Sequence, residues 1–234
     1  IQTDQIAGVG QVGATQSYGA VTLSTGALTG TQIKASANAQ IAQAIANDAL
    51  ADLAIEAPLF ASNADLLLVQ SSDAFVNTVI GDPQALAGVT IAPSGAIRDS
   101  VLEIGGNTVT GLSVANRGGN RLVLDAALAS DAGRHPASIA GTLADGYGAA
   151  ATLALSSAQK VGVPGLIQPV ITSTVTGRFA VTGNGAVDGA TVRIVANIQS
   201  ASATANSIDN LLAVSGADLG DAGTALSSSQ FGEA

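Results

Sequence analysis

Short runs rich in Val, Ile and Thr recur along the chain, at 101–104, 108–114, 122–124, 170–176, 179–182 and 191–195. Turn-forming steps punctuate them: Gly106-Asn107, Gly118-Gly119-Asn120, Asp145-Gly146, Gly183-Asn184-Gly185 and Asp188-Gly189. β-Branched runs of strand length between such punctuation predict an all-β chain. One stretch competes with this reading. Residues 33–55 are Ala-rich, with Ala37, Ile41 and Ile45 spaced as on one face of a helix, and alanine is the best helix former.

A repeat decides between the two. Of the eleven asparagines, eight fall into one pattern. Asn107, Asn116 and Asn120 have the same spacing as Asn197, Asn206 and Asn210, and a weaker copy carries Asn38 and Asn47 with Ala51 in the third place. Small residues align at alternate positions: Ala42, Gly111 and Ala201; Ala44, Ser113 and Ala203; Ala46, Ala115 and Ala205. Further on, Leu53, Leu122 and Leu212 align, then Ile55, Leu124 and Val214. Alternation is the strand period, so 33–55 is read as strand like its two Thr/Val/Gly-rich counterparts.

The pattern predicts a β-solenoid. One wall carries small inward residues where it approaches the opposite wall, and the next carries Leu, Ile or Val inward. Asparagine suits the corners because its amide bonds nearby backbone and tolerates left-handed φ. Stacked asparagines can also form ladders, each amide bonding its neighbour. Asn38, Asn47, Asn107, Asn116, Asn120, Asn197, Asn206 and Asn210 are therefore the expected structural corner residues. Coils of about 20–25 residues stacked about 4.8 Å apart would give a rod of roughly ten coils. On that assumption the offsets of 69 and 90 residues between copies leave diverged or enlarged coils in between. No linker or break in composition divides the chain, which is read as one solenoid domain, 1–234. The segment between Pro164 and Pro169 is expected to be a loop, and the Ser-rich end, 227–234, to be loose or to lead into further residues.

Composition narrows the function. Hydrophobic residues make up 47% of the chain but aromatics only 3%, with no Met and no Trp. A core of small aliphatic side chains is thin. Charged residues are 11% and the net charge is −9, and the few Lys and Arg are scattered. Nucleic acid is thus not an expected partner, since phosphate neutralisation needs clustered cations. The chain has no Cys, so it has neither a disulfide framework nor a thiolate metal site. The lack of Cys, the absence of Met and the start at Ile1 are together expected of an exported protein whose signal peptide has been removed; the start and the missing Met also fit a chain that begins inside a longer protein.

The candidate chemistry is thin. The single histidine, His135, lies before Pro136 in a turn-like stretch and reads as an exposed loop residue rather than a catalytic base. Gly8, Gly10 and Gly13 have dinucleotide-loop spacing, but no hydrophobic strand precedes them and no helix pattern follows. Asp188, Asp209, Asp218, Asp221, and Glu103 near Arg121 could serve a glycosidase or lyase, yet solvated strand faces and turns carry such residues as well. Asp218 and Asp221 resemble a calcium turn only loosely, and the calcium-binding nonapeptide is absent. No catalytic residue, cofactor or metal is assigned.

The stretches 105–124 and 196–214, GGNTVTGLSVANRGGNRLVL and ANIQSASATANSIDNLLAV, resemble the Asn-, Ala- and Thr-rich coils of alphaproteobacterial surface proteins, in particular the holdfast anchor family. The resemblance covers about a fifth of the chain at the level of the repeat, and autotransporter passengers and filamentous adhesins share it. It implies a right-handed parallel β-solenoid (β-helix), export through a curli-type outer-membrane pore, and partners at the cell surface. The expected function is therefore that of an extracellular, non-enzymatic adhesion protein, anchoring a surface polysaccharide to the outer membrane or forming a surface fibre. Its expected partners are other cell-surface anchor proteins, the polysaccharide itself, and further copies associated end to end. The alternative is a polysaccharide-degrading enzyme, of lyase or tailspike type, on the same scaffold.

Overall fold

A computed structural model describes residues 1–8, 10–16, 20–62, 64–82, 86–129, 153–162, 170–216, 218 and 224–232. His135, Asp221, the Asp145-Gly146 step and the loop expected between Pro164 and Pro169 lie outside the described residues. What is described is all-β and parallel. The first coil comprises β1 (Gln2–Ala7), β2 (Gln11–Gln16), β3 (Ala20–Thr25), β4 (Leu28–Thr29), β5 (Gln32–Ser36) and β6 (Ala39–Phe60). The second repeats the order with β7 (Ala64–Ser72), β8 (Phe75–Ile80), β9 (Ala87–Pro93), β10 (Ile97–Arg98), β11 (Val101–Gly105) and β12 (Thr108–Ala129). The third follows with β13 (Leu153–Val161), β14 (Ile171–Val175), β15 (Gly177–Val181), β16 (Val187–Asp188), β17 (Thr191–Val195) and β18 (Ile198–Ser215). A last strand, β19 (Thr224–Gly232), pairs with β13.

Each strand pairs only with its counterpart one coil away, so the sheets read β1-β7-β13-β19, β2-β8-β14, β3-β9-β15, β4-β10-β16, β5-β11-β17 and β6-β12-β18. The chain is a parallel β-solenoid of wide coils. Asn38 meets Asn107 across 69 residues and Asn107 meets Asn197 across 90. These offsets are the coil length itself. The expectation of short coils, with diverged coils between the asparagine copies, is overturned, and so is the ten-coil rod: the copies are direct neighbours. The Ser-rich end is not loose as far as Gly232, because Thr224–Gly232 is a strand in register with Leu153–Val161.

In cross-section the coil is a flat loop. β12 returns along the opposite wall and packs against β7, β8, β9, β13 and β14. Where the walls run closest, the inward residues are small. Ala44, Ala74, Val76, Ala115 and Val161 form one cluster, and Ala42, Ile80, Ala87 and Val109 another. A Cβ at Gly111 would sit 2.7 Å from Ser173 Oγ on the facing wall, so glycine is dictated there by lack of space. Toward one edge the walls separate, and Phe60, Leu66, Leu122, Leu124, Leu153 and Leu155 fill the gap. At the other edge Val89, Ile91, Ile97, Leu102 and Ile104 do so.

The inward parity switches inside β12. Val109, Gly111, Ser113 and Ala115 are buried, and then Asn120, Leu122 and Leu124. The ladder skips the rung at Ala115 between Val114↔Thr204 and Asn116↔Asn206. The aligned small and large residues of the repeat belong to these two phases of one long strand. Gly118-Gly119-Asn120, expected as a turn, is part of it.

The left-handed corners are occupied by the residues before the asparagines. Ala37, Gly106 and Ala196 have φ of 58°, 66° and 52°, and Gly30, Asp99 and Gly189 form a second set at 59°, 48° and 60°. A side chain at such a φ is disfavoured by Cβ sterics, and the corner holds because each coil repeats it above the last. Asparagine thus does not supply the left-handed bend, contrary to the expectation from its conformational tolerance.

Candidate functional site in the amide ladders

Two of the three asparagine columns are continuous ladders. In the column just after the corner, Asn38 Nδ2 donates to Asn107 Oδ1 at 2.7 Å, and Asn107 Nδ2 donates to Asn197 Oδ1 at 2.8 Å. The same oxygens accept the backbone N–H of the asparagine one coil earlier, each at 3.1 Å. Asn107 Nδ2 also reaches Ala35 O at 3.1 Å and Asn197 Nδ2 reaches Ile104 O at 3.0 Å. The side chain ties the start of the long strand to the end of the strand before it.

The second ladder lies at the parity switch. Asn47 Nδ2 donates to Asn116 Oδ1 and Asn116 Nδ2 to Asn206 Oδ1, both at 2.7 Å. The remaining N–H of each crosses the coil: Asn47 to Ser71 O at 2.8 Å, Asn116 to Lys160 O at 2.8 Å, and Asn206 to Phe231 O at 3.0 Å. Asn116 is fully buried. One amide therefore bonds along the stack and between the walls, in a dry setting where an unmade bond is costly. These residues sit at a kink within a strand rather than at a loop.

The third column behaves differently. Asn120 Nδ2 donates to Ser156 O at 3.1 Å and Asn210 Nδ2 to Ser157 Oγ at 2.9 Å. Both Oδ1 atoms are buried without a partner. These two asparagines link the walls but form no ladder, and in the first coil Ala51 takes the place.

A glutamine ladder completes the set and was not foreseen. Gln70 Nε2 donates to Gln5 Oε1 at 3.0 Å, Gln159 to Gln70 at 2.6 Å, and Gln230 to Gln159 at 3.2 Å. It too crosses the coil: Gln5 Nε2 bonds Asp48 O at 2.9 Å, Gln70 bonds Arg117 O at 2.8 Å, and Gln159 bonds Ser207 O at 2.9 Å. The signal for it was present. Ala154-Leu-Ser-Ser-Ala-Gln159 recurs as Ala225-Leu-Ser-Ser-Ser-Gln230, offset by 71 residues, one coil.

Outward charges pair between coils. Arg117 forms a two-pronged ion pair with Asp48, its Nε donating at 3.0 Å. The contact holds the Asp48 carboxyl below its usual range and raises Arg117, the hydrogen bond being the main cause in each. Arg121 pairs with Asp52 at 3.0 Å, and Glu103 lies between Lys34 at 3.1 Å and Arg193 at 3.8 Å. Glu103 is thus not joined to Arg121. Asp188 lies on β16 and Asp209 on β18, in separate sheets, while Asp218 bridges by backbone to Leu128. Gly10 to Gly13 lead into and begin strand β2, not a strand-to-helix turn. Among the described residues, no group of three or more His, Asp or Glu is placed to hold a metal ion.

The geometry defines a solenoid braced by buried amide ladders. No family model, curated protein or solved structure matches the chain.

Proposed function

We propose that this chain is a stiff, non-catalytic segment of an exported cell-surface protein, of the holdfast-anchor kind, that helps tie a surface polysaccharide to the outer membrane. The second asparagine ladder carries the reading. Asn47, Asn116 and Asn206 clamp one wall to the other in every coil and each coil to the next. Shearing the walls apart means breaking buried amide bonds in all coils together, the property required of a load-bearing element. The outer face of the second coil carries Asn77, Thr90, Thr108 and Thr110 among apolar and charged residues, and these amide and hydroxyl groups can hydrogen-bond a hydrated polysaccharide.

The test compares cells that make the chain, cells that lack it, and cells carrying Asn116→Leu. Antibody labelling of intact cells reads its location, and polysaccharide retention under flow reads its role. The expected result is surface labelling in wild type, with polysaccharide shed from cells lacking the chain or carrying Asn116→Leu. Labelling only after permeabilisation, or equal retention in all three, would overturn the proposal.

A further inference from the structure

Among the described residues, β14–β18 carry no further strand on their outer edge, and inward side chains there are open to solvent. Val192 and Ile194 occupy the columns of Leu102 and Ile104. The second-coil pair is 0% exposed, whereas Val192 is 45% and Ile194 47% exposed. What buries Leu102 and Ile104 is a coil on each side, contributing Ile33 and Ala35 from below. An unpaired strand edge with apolar side chains is a template for further pairing.

We infer that the occupant of this edge is a second copy of the same chain, its β2–β6 lying on β14–β18 in the register the coils already use. Charge layout favours this. At net charge −9, acids facing acids weaken stacking, and the chain itself holds one such rung, Asp125 beside Glu56. In the shared register Asp48, Asp52 and Glu56 of the arriving copy fall on the columns of Ser207, Leu211 and Ser215. Asp188 and Asp209 of the third coil fall on those of Thr29 and Leu50. Each of these acidic residues meets a neutral one. The asparagine ladders also have a direction. Donation runs from the first coil toward the third, so the third coil ends on the amide N–H groups of Asn197 and Asn206. The first coil ends on the Oδ1 atoms of Asn38 and Asn47.

Two features make the register testable. One column opposes stacking, because Arg193 would meet Lys34 of the arriving copy. One position has two claimants, because β19 already lies on β13 where β1 of the arriving copy would go, so one of the two strands is released on assembly. The stacking rests on the coil edges alone and stands independently of any role at the cell surface.

The test is a concentration series of the purified 234-residue chain, followed by sedimentation, electron microscopy and hydrogen exchange. Thr108 donates its N–H to Asn38 O, so even-numbered residues at the start of β6 face β12, and Ile41, exposed and outward, directs its N–H to the open edge. Ile41→Pro therefore removes an edge donor without taking a bond from the folded chain. Wild type is expected to form concentration-dependent head-to-tail stacks, and Ile41→Pro to stay monomeric with an unchanged circular dichroism spectrum. Arg193→Gln should assemble at a concentration roughly two- to fivefold lower, as expected for relieving one exposed like-charge contact. In stacks, amides of β5, β6, β17 and β18 gain protection while those of β1 or β19 lose it. A chain that stays monomeric throughout, or stacks that are indifferent to both substitutions, would overturn the inference. Failure of Ile41→Pro to fold would leave Arg193→Gln and the exchange pattern to decide.

Discussion

The second and third coils share one register and, in the long strand, much of one side-chain pattern, yet differ sharply in burial. Leu102, Ile104, Leu122 and Leu124 are fully buried in the second coil. Their third-coil counterparts Val192, Ile194, Leu212 and Val214 are only partly covered. Backbone, corner φ values and strand lengths hardly change between them. A coil of this fold therefore owns half a core, and the other half belongs to its neighbours. In an ordinary two-layer domain a residue's burial follows from its place in the pattern, whereas here it also depends on its place in the stack.

The comparison can be broken most strongly at its apolar columns. Leu102→Ala should cost about 2–5 kcal/mol, the range for a cavity in a packed core. Val192→Ala, in the same column, should cost about 1 kcal/mol or less. Denaturant unfolding of the two variants, measured where the chain is monomeric, checks the ratio. Similar costs would mean that the third coil is already covered.

The amides offer a second, smaller contrast. Asn116→Leu removes two bonds along the stack and one across the coil, and it strands a donor of Asn47 and the Oδ1 of Asn206. About 2–3 kcal/mol is expected from a buried centre of this kind. Asn206→Leu loses its cross-coil bond at a half-exposed site and the ladder bond that its Oδ1 accepts from buried Asn116, and should cost about 1–2 kcal/mol. Asn77 is a poor control for either, since it is half-buried and its Oδ1 accepts from Thr172 Oγ1 at 3.0 Å.

The corners give an effect of either sign. Ala196→Gly places glycine at a φ of 52° and should stabilise by up to about 1 kcal/mol, offset in part by a freer unfolded chain. Gly106→Ala should destabilise by a similar amount. Thermal melts of both read the sign directly.

The smallest effect concerns the Asp48–Arg117 pair. Because the folded-state pKa of Asp48 lies below its ordinary value of 3.8, the pair's contribution is complete above that value. It is lost as pH falls through the depressed one. The site is open to solvent, so Asp48→Asn should cost only a few tenths of a kcal/mol at neutral pH, and the difference from wild type should vanish in acid. A difference that grows on acidification would contradict the assignment.

Much of this architecture was legible from spacing. The offsets between the Asn107, Asn197 and Asn38 copies are the true inter-coil register, and the small and large columns through Ala115 and Leu122 point inward as read. Coil length was lost because only the long strand repeats its side chains. In the other walls, Gln11 lies beside Phe75, and Asn77 beside Thr172, and the scattered identities, such as Val12 beside Val76, are too few to mark a period. The glutamine column was missed for a related reason: Gln5 and Gln70 sit in unlike neighbourhoods, and only Gln159 and Gln230 share a string. The corner was misassigned because asparagine and alanine stand side by side there. A position held at left-handed φ by its neighbours does not advertise itself by residue type, as Ala37 and Ala196 show.

Wide coils also shape how the chain reaches its fold. Among the described residues no strand pairs with the next in sequence, so no hairpin there can serve as a seed. Every strand pairing between these coils closes a loop of more than 60 residues, as when Gln5 meets Gln70 across 65. Closing such a loop costs about 2–3 kcal/mol more in chain entropy than closing a tight turn, before any partner strand repays it. Topologies dominated by distant pairings fold slowly. A coil of this fold gains its strand partners only when a neighbouring coil is in place, so one coil by itself gains little from folding early. A preformed edge of the same register would remove that delay, and growth on such an edge would outpace its first appearance.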